Sequence, residues 1–268
     1  PAMSIAVPLL LEKIIMRTGL RRLQTPSWKR LRNLPVISTR ICDKIRENLV
    51  EAFGGRFYEI IIGGAAFNKE VESFLHGIGF KYTVGYGATE CAPIISYADY
   101  KTFVPGSCGR PVVHMEVKID SHDPENVPGE ILARGLNVML GYYKNEEATQ
   151  NTLDKEGWYH TGDLGTMDAE GNIFIKGRSK NMLLSSNGQN IYPEEIEDQL
   201  NSLPMVMESV VVQRGDKLAA LVHPDFEEAK TMGLSTDDLQ KLMEENRTTI
   251  NAELPAYSKI TEIEIHED

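Results

Sequence analysis

The sequence has few cysteines and no excess of positive charge. Its 268 residues include three cysteines, Cys42, Cys91 and Cys108, with no C-x-x-C pair and no histidines at metal-ligand spacing. The cysteine pattern therefore indicates no metal site, and a reducing cytoplasm is the simplest compartment. The 28 basic and 39 acidic side chains give a formal net charge of −11. This acidic balance argues against nucleic acid as a partner.

Long hydrophobic runs are also missing. No apolar run approaches the roughly twenty residues that are needed to cross a bilayer. Residues 1–11 have neither the charged region nor the cleavage site of a signal peptide. The longest apolar run, residues 5–11, predicts a core segment. We therefore expect a cytoplasmic protein without a transmembrane segment, a description that is compatible with peripheral membrane contact.

Hydrophobic spacing predicts an α/β arrangement in the first third of the chain. Residues 39–53 carry apolar side chains at three- and four-residue spacing up to Gly54-Gly55, which predicts a helix with one buried face. A strand over 58–62, a helix from about Asn68 and a strand over 81–85 follow. Such a unit of about thirty residues normally makes two parallel strands.

Two glycine clusters follow these strands. Gly63-Gly64 comes directly after the first strand, and Gly85-Tyr86-Gly87 comes at the end of the second. Open parallel sheets bind ligands in the crevice beyond the carboxyl ends of their strands. The sequence therefore predicts a ligand site there.

The rest of the chain predicts antiparallel and α+β structure. Alternating apolar segments after Gly106 indicate an antiparallel sheet or a small barrel, with strands over 115–119, 130–134, 159–165 and 172–176. A small α+β domain follows. It is predicted to contain a helix that starts at Pro193, a hairpin over 210–222, and a helix that is capped by Ser235 and ends before Pro255.

The segment Gly85 to Glu90 combines residue types that suit a nucleotide. Tyr86 can stack on a purine, and Gly87 can let a ligand approach the backbone. Thr89 can bond a phosphate oxygen, and Glu90 can hold Mg²⁺, which prefers carboxylate and phosphate oxygens. The alternative is an ordinary strand-to-loop turn with a surface Thr-Glu pair.

A second acidic position follows a glycine. One carboxylate accepts two hydrogen bonds, so Asp163, which we expect at the end of a strand, can hold both hydroxyls of a ribose. The alternative is a turn-forming Gly-Asp. His160 invites a general-base interpretation and Cys91 a nucleophile interpretation. No suitable partner is near either in the sequence, so we interpret them as a structural histidine and a buried cysteine.

A third segment combines Arg178 and Lys180 with a loop of small residues, Ser185 to Asn190. Arg178 can donate to a ribose or phosphate, and the loop can admit a ligand against its backbone. The alternatives are a solvated linker for the basic pair and an ordinary hairpin for the loop.

Together these strings resemble the adenylate-forming superfamily of AMP-forming acyl-CoA synthetases. They occur in family order over about two-thirds of the chain. The matching strings are Gly63 to Ala66, Gly85 to Glu90, Tyr159 to Asp163, Gly177 to Lys180, and Gly188 with Pro193 to Glu197.

The resemblance implies a fold of two parts, α/β plus α+β. Residues 1–177 would form the carboxyl-side part of a large domain with a parallel unit and a barrel-like part, and residues 181–268 a small mobile domain. Residues 178–180 would be the hinge between them, with Lys180 at its centre.

The resemblance also implies the role of each site residue. Backbone groups of Gly64, Ala65 and Ala66 would line the adenine site. Tyr86 with Gly87 would contact adenine, Thr89 the α-phosphate, and Glu90 the Mg²⁺ ion. Asp163 and Arg178 would bind the ribose, and Ser186, Asn187 and Gly188 the pantetheine of coenzyme A.

The reaction that the resemblance implies has two steps. A carboxylate attacks the α-phosphate of ATP and releases pyrophosphate, and the thiol of coenzyme A then displaces AMP from the acyl-adenylate. Val7 to Ile14 and Ala92-Pro93 are most similar to long-chain fatty acid ligases. The alternatives are a ligase for an aryl, short-chain or amino acid and a non-catalytic AMP-binding module. A dinucleotide dehydrogenase is excluded because no G-x-G-x-x-G opens a helix.

Two elements of the family pattern are not found. Residues 1–57 contain no Ser/Thr/Gly-rich loop ending in Pro-Lys-Gly, and the catalytic lysine is expected beyond Asp268, since Lys259 precedes the strand after which the family places it. We therefore expect the isolated chain to catalyse little or no adenylation. We also expect it to expose a sheet edge through which it can self-associate.

Overall fold

A computed structural model describes residues 3–8, 11, 15 and 35–266 of the chain. These residues divide into two compact units. The first contains Pro1–Thr161 and Thr166–Ile175, and the second contains Gly162–Gly165 and Lys176–Asp268. A movement about residues 178–180 stays a prediction.

A parallel sheet opens the first unit. It consists of β1 (Met3–Ala6), β2 (Glu59–Ile62) and β3 (Tyr82–Val84), in that order and parallel throughout. Helix α1 (Pro35–Ala52) precedes β2, and helix α2 (Lys69–Gly77) connects β2 to β3. The predicted strand, helix and strand are confirmed.

Local signals and burial explain these elements. Asn68 caps α2, because its Oδ1 accepts a hydrogen bond of 3.1 Å from the backbone amide of Val71. The apolar face of α2 packs with β2, so that Ile60, Ile62 and Leu75 are fully buried. Burial of this kind contributes about 1.5–3 kcal/mol for each large aliphatic side chain.

The prediction of a core segment over residues 5–11 is partly wrong. Ile5 is 80% exposed and Val7 is 57% exposed, whereas Pro8 and Leu11 are buried. The physical reason is that β1 is an outer strand whose side chains alternate between two faces. Residues 9 and 10 lie outside the described part of the chain.

Two further sheets are formed by β4 to β10, of which residues 162–165 and 176–178 belong to the second unit. One contains β4 (Tyr86–Gly87), β5 (Ile94–Tyr97) and β6 (Arg110–Pro111), paired antiparallel. The other has the order β10-β9-β8-β7, which confirms the expected sheet. Its strands are β7 (Met115–Asp120), β8 (Gly129–Gly135), β9 (Tyr159–Met167) and β10 (Ile173–Arg178). Strands β7 and β8 are antiparallel, and helix α3 (Glu146–Thr152) lies between β8 and β9 in sequence.

The second unit has an α+β arrangement. Its three-stranded sheet has an antiparallel pair, β13 (Val206–Arg214) with β14 (Lys217–Pro224), and a parallel pair, β14 with β15 (Ile260–Ile265). A short hairpin joins β11 (Leu183–Leu184) to β12 (Asn190–Ile191). The helices are α4 (Pro193–Leu200), α5 (Phe226–Met232) and α6 (Thr236–Glu253).

The predicted helix and cap signals of this unit are confirmed. Pro193 is at the start of α4, and Ser235 and Asp238 form a reciprocal capping box at the start of α6. Leu200, Met243 and Ile260 are almost fully buried in its separate core. Of the helices in the described ranges, none combines the length and the apolar character that crossing a membrane requires.

Candidate functional site

The two glycine clusters of the first unit lie side by side. Gly63-Gly64 follows β2, Gly85 follows β3, and the amide of Gly85 donates to the Ile62 carbonyl at 2.9 Å. A Cβ on Gly63 would lie only 3.2 Å from the carbonyl oxygen of Gly85. Gly64, Ala65 and Ala66 are exposed beyond this contact. The structure therefore brings the two clusters together at the carboxyl ends of parallel strands, as predicted.

Tyr86 and Gly87 form the short strand β4. Tyr86 is only 8% exposed and packs in the core of the first unit. Gly87 has a structural reason within the chain, because a Cβ there would lie 2.0 Å from the carbonyl oxygen of Pro93. Contact of either residue with adenine stays a prediction.

Thr89 and Glu90 lie in a one-turn 3₁₀ helix, Thr89–Cys91. Thr89 is exposed and Glu90 is half-buried. The Tyr142 hydroxyl donates to Glu90 Oε1 at 2.7 Å, and the amide of Met139 donates to the Glu90 carbonyl at 2.7 Å. The hydrogen bond to the carboxylate, together with burial, raises the pKa of Tyr142. A loop distant in sequence thus holds the Glu90 carboxylate in place.

Sequence reasoning missed this supporting loop. Asn137 Nδ2 donates to the carbonyl of Cys91 at 2.6 Å and to the carbonyl of Ile94 at 3.0 Å. The amide of Tyr142 donates to Thr149 Oγ1 at 2.9 Å. Tyr142 is 52 residues from Glu90, and the loop carries no local signal that would have linked it to that carboxylate.

The structural interpretations of Cys91 and His160 agree with the geometry. Cys91 is fully buried, and burial, followed by the charge of Glu90, raises the pKa of its thiol to about 11. A thiol of this kind is a poor nucleophile at neutral pH. His160 Nδ1 is 2.9 Å from Glu130 Oε2, and its Nε2 is 3.9 Å from Asp154 Oδ2, so two carboxylates hold the ring.

In the second unit the structure pairs Asp163 with Arg178. Arg178 Nε donates to Asp163 Oδ1 at 2.8 Å, and the side chains are 62% and 10% exposed respectively. The expectation that Asp163 ends a strand is wrong. Strand β9 continues to Met167, and Gly162, whose φ of +71° suits glycine, is accommodated inside it.

Glu194 fixes the segment next to this pair. Its Oε1 accepts from Asn181 Nδ2 at 2.7 Å and from the Arg178 amide at 3.3 Å. A Cβ on Gly177 would lie 2.5 Å from Glu194 Oε2, so a larger residue there would displace this carboxylate. Lys180 lies in the segment and is exposed. In the sequence, Glu194 appears only within the string Pro193 to Glu197, and nothing local predicts its contacts with residues 177–181.

The loop of small residues is a hairpin turn between β11 and β12. The amide of Gln189 donates to Ser185 Oγ at 2.8 Å, and the Ser185 amide donates to the Gln189 carbonyl at 3.0 Å. Ser186, Asn187 and Gly188 are exposed at the tip. The hairpin interpretation is confirmed, and contact with coenzyme A stays a prediction.

The donor set around Glu90 fits an ion that arrives with a nucleotide. Among the described residues, no group of three or more His, Cys, Asp or Glu side chains could hold a metal ion. Mg²⁺ is usually bound through one or two carboxylates together with substrate phosphates. A single anchored carboxylate satisfies that requirement.

Solved structures identify the fold. An adenylation domain of a carboxylate reductase from Mycobacterium chelonae matches with a TM-score of 0.76 and 23% identity, over 100% of this chain and 42% of that chain. An O-succinylbenzoate coenzyme A synthetase from Bacillus subtilis, solved with ATP and magnesium, matches with a TM-score of 0.69 and 23% identity. The match covers 99% of this chain and 48% of that chain. The fold is therefore that of the adenylate-forming enzymes, with mixed α/β sheets and a C-terminal domain.

Sequence comparison then identifies the family. The family described as "AMP-binding enzyme" matches residues 1–143, just over half of the chain, and "AMP-binding enzyme C-terminal domain" matches residues 180–267. The chain belongs to the AMP-binding family of adenylate-forming acyl-CoA ligases, which are acid–thiol ligases.

Similar curated proteins differ in the acid named. A 2-succinylbenzoate–CoA ligase of Bacillus cereus is 34% identical over 77% of this chain and 46% of its own length. A 4-coumarate–CoA ligase of Oryza sativa subsp. japonica is 37% identical over 67% of this chain and 35% of its own length. A long-chain-fatty-acid–CoA ligase of Escherichia coli O6:H1 is 44% identical over 48% of this chain and 23% of its own length. The chain thus spans less than half the length of each relative.

Proposed function

We propose that the protein acts in an AMP-forming acyl-CoA ligase reaction whose acid is a long-chain fatty acid. The observation that carries the proposal is the Thr89–Glu90 turn. It follows the parallel strand β3 and the short strand β4, lies beyond the paired glycine clusters, and holds a carboxylate that accepts a hydrogen bond from Tyr142. In the proposed reaction a carboxylate oxygen bonds to the α-phosphorus of ATP as pyrophosphate leaves. The sulfur of coenzyme A then displaces AMP, and the thiol proton is lost to solvent.

In the first unit we assign adenine contacts to Gly64–Ala66, which are exposed, and to Tyr86, which is buried beside them at the end of β3. Exposed Thr89 would donate its hydroxyl to the α-phosphate. Glu90 would hold Mg²⁺, which neutralises charge and orients phosphates when it is bound. Donors that are held in place before the reaction stabilise the developing charge without reorganisation.

In the second unit we assign the ribose hydroxyls to Asp163, because Arg178 already fixes one of its oxygens. Lys180 is proposed as the hinge residue of the segment that Glu194 anchors. The exposed tip Ser186–Gly188 is proposed to contact pantetheine. Each of these assignments uses a side chain or backbone group of the described residues.

The choice of acid is supported by the relatives only in part. The fatty acid ligase has the highest identity of the three, but over the shortest segment. The succinylbenzoate and coumarate ligases make an aryl-containing acid the second candidate.

Non-hydrolysable acyl-adenylate analogues test both levels of the proposal. The analogues would carry a long alkyl chain, a succinylbenzoyl group or a coumaroyl group, and calorimetry would measure their affinity against that of AMP. We expect the alkyl analogue to bind at least tenfold more tightly than AMP. Tighter binding of an aryl analogue would overturn the choice of acid. Absence of binding by AMP and by all three analogues would overturn the ligase proposal.

A further inference from the structure

One oxygen of the Glu194 carboxylate is buried without a hydrogen bond. Its Oε1 accepts two hydrogen bonds, whereas Oε2 has no hydrogen-bond partner among the residues that the structure describes. A buried oxygen without a donor is costly, and the cost is greater for a group that can carry charge. Exceptions of this kind are expected at functional positions. The reason for the placement of Glu194 is therefore to be found in the groups that Oε1 holds.

Both groups on Oε1 belong to the segment that carries Arg178. Asn181 Nδ2 donates at 2.7 Å, and the backbone amide of Arg178 donates at 3.3 Å. Oε2 occupies the space beside Gly177, where a Cβ would lie 2.5 Å away. The carboxylate thus lies against residues 177–181 and holds the backbone of Arg178 from one side.

The side chain of Arg178 is used on the other side. Its Nε donates to Asp163 Oδ1 at 2.8 Å although the side chain is 62% exposed. The amide of Ser179 donates to the Gly162 carbonyl at 2.8 Å, which joins the segment to the strand of Asp163. A long exposed side chain has many rotamers, so its ion pair depends on where its backbone is held. All of these residues, with Glu194, belong to the second unit.

We propose that Glu194 is a positioning residue for the ribose site, which anchors the backbone of Arg178 so that Arg178 orients the Asp163 carboxylate. Glu194 itself contacts no ligand in this scheme. The inference rests on the proposed function, because the ribose hydroxyls were assigned to Asp163. It adds a residue of helix α4, 16 positions along the chain from Arg178, to the pair that the sequence singles out.

Two nucleotides that differ only in the ribose test the inference. Calorimetry on the 268-residue chain would compare AMP with 2′,3′-dideoxy-AMP, which lacks both hydroxyls. The ratio of the two affinities reports the ribose contacts alone, because base contacts and any unfolded fraction affect both nucleotides equally. We expect the wild type to prefer AMP about 30-fold, and Glu194→Ala to lower this ratio about fivefold, the range of one net hydrogen bond.

Two conservative variants separate the reach of Glu194 from its charge. Glu194→Gln keeps the length and an oxygen for the Arg178 amide, and should keep the ratio within about twofold of wild type. Glu194→Asp keeps the charge in the first turn of α4 but is one methylene shorter. It should lower the ratio about as much as Glu194→Ala, and it keeps the test possible if the alanine variant does not fold.

A matched control and a double variant complete the design. Glu227→Ala removes an exposed acid from the first turn of α5, in the same unit, and should change the ratio less than about twofold. Arg178→Ala removes the side chain through which Glu194 acts. In that background Glu194→Ala should therefore lower the ratio no further, because the two substitutions affect one interaction.

Three outcomes would overturn the inference. The first is a wild-type ratio in Glu194→Ala or Glu194→Asp, which would leave Glu194 a structural role only. The second is a low ratio in Glu194→Gln beside a wild-type ratio in Glu194→Asp, which would assign the effect to charge. The third is a further loss in the Arg178→Ala background. Equal binding of the two nucleotides by the wild type would instead show that the proposed ribose assignment of Asp163 is wrong.

Discussion

Glu90 and Asp163 are two carboxylates that the structure holds in opposite ways. Glu90 is half-buried in a single 3₁₀ turn, and its hydroxyl partner Tyr142 is uncharged. Asp163 is inside a nine-residue strand with a side chain that is 10% exposed, and its partner Arg178 is a cation. The hydroxyl that donates to Glu90 Oε1 is therefore neutral, whereas Asp163 is half of an ion pair.

This difference indicates which ligand group each region suits. A carboxylate oxygen is a ligand that Mg²⁺ prefers, and a carboxylate oxygen next to a guanidinium suits neutral hydroxyls. The contrast supports Mg²⁺ for Glu90 and a ribose for Asp163. The following predictions are designed to separate the two regions.

The largest expected effect concerns the backbone of the turn. Gly87→Ala places a Cβ 2.0 Å from the Pro93 carbonyl oxygen, a backbone atom that cannot rotate away. We expect the free energy of unfolding to fall by about 3 kcal/mol, as measured by urea denaturation. Gly77→Ala, where a Cβ would meet nothing within 4 Å, should change it by about 0.5 kcal/mol or less. Equal stability of the two variants would show that the turn does not need the close approach.

The second prediction concerns the strand. Asp163→Asn keeps the shape but removes the charge that pairs with Arg178 and that we propose accepts hydrogen bonds from the ribose. We expect the affinity for AMP, measured by calorimetry in EDTA, to fall by about 2 kcal/mol, or roughly 30-fold. Glu90→Gln under the same metal-free conditions should change the affinity less than twofold. If the affinity for AMP falls equally in both variants, the proposed separation of roles is wrong.

The third prediction reverses the comparison by adding the metal. Glu90→Gln should weaken binding of ATP about tenfold in the presence of Mg²⁺, because one anionic metal ligand is lost. When EDTA removes the metal, the wild type and the variant should bind ATP with the same affinity. A loss that persists without Mg²⁺ would assign Glu90 to the nucleotide rather than to the ion.

The smallest effect is expected at the support of the turn. Tyr142→Phe removes the hydroxyl that donates to Glu90 Oε1 but keeps the carboxylate and its charge. We expect Mg²⁺-dependent binding of ATP to weaken about threefold, the range of one net hydrogen bond. Tyr143→Phe is the matched control, because Tyr143 is 87% exposed. Identical affinities of the two variants would mean that the hydrogen bond does not position Glu90.

Much of the fold could be predicted because its signals are local. The capping box of Ser235 and Asp238 spans one helical turn, and the apolar spacing of residues 39–53 appears directly in helix α1. The edge character of β1 could not be predicted. The apolar run of residues 5–11 reads as core, and only the order of strands shows that Ile5 lies on an outer strand.

The candidate site was predictable as strings but not as contacts. Thr89, Glu90, Asp163 and Arg178 stand out by residue type and order. The Tyr142 hydrogen bond joins residues that are 52 apart in the sequence, and the hydrogen bonds of Asn137 to Cys91 and Ile94 join residues that are 46 and 43 apart. Neither arrangement leaves a periodic or short-range pattern in the chain.

By itself, the sequence determined the order of elements, their caps and the kinds of side chain that follow each strand, because these depend on residues within one or two turns of each other. The tertiary structure alone decided the environment of each carboxylate. Tyr142 donates to the Glu90 carboxylate, and Arg178 forms an ion pair with Asp163. The reason is that tertiary packing determines which distant residue contacts each carboxylate and how much water is excluded from it.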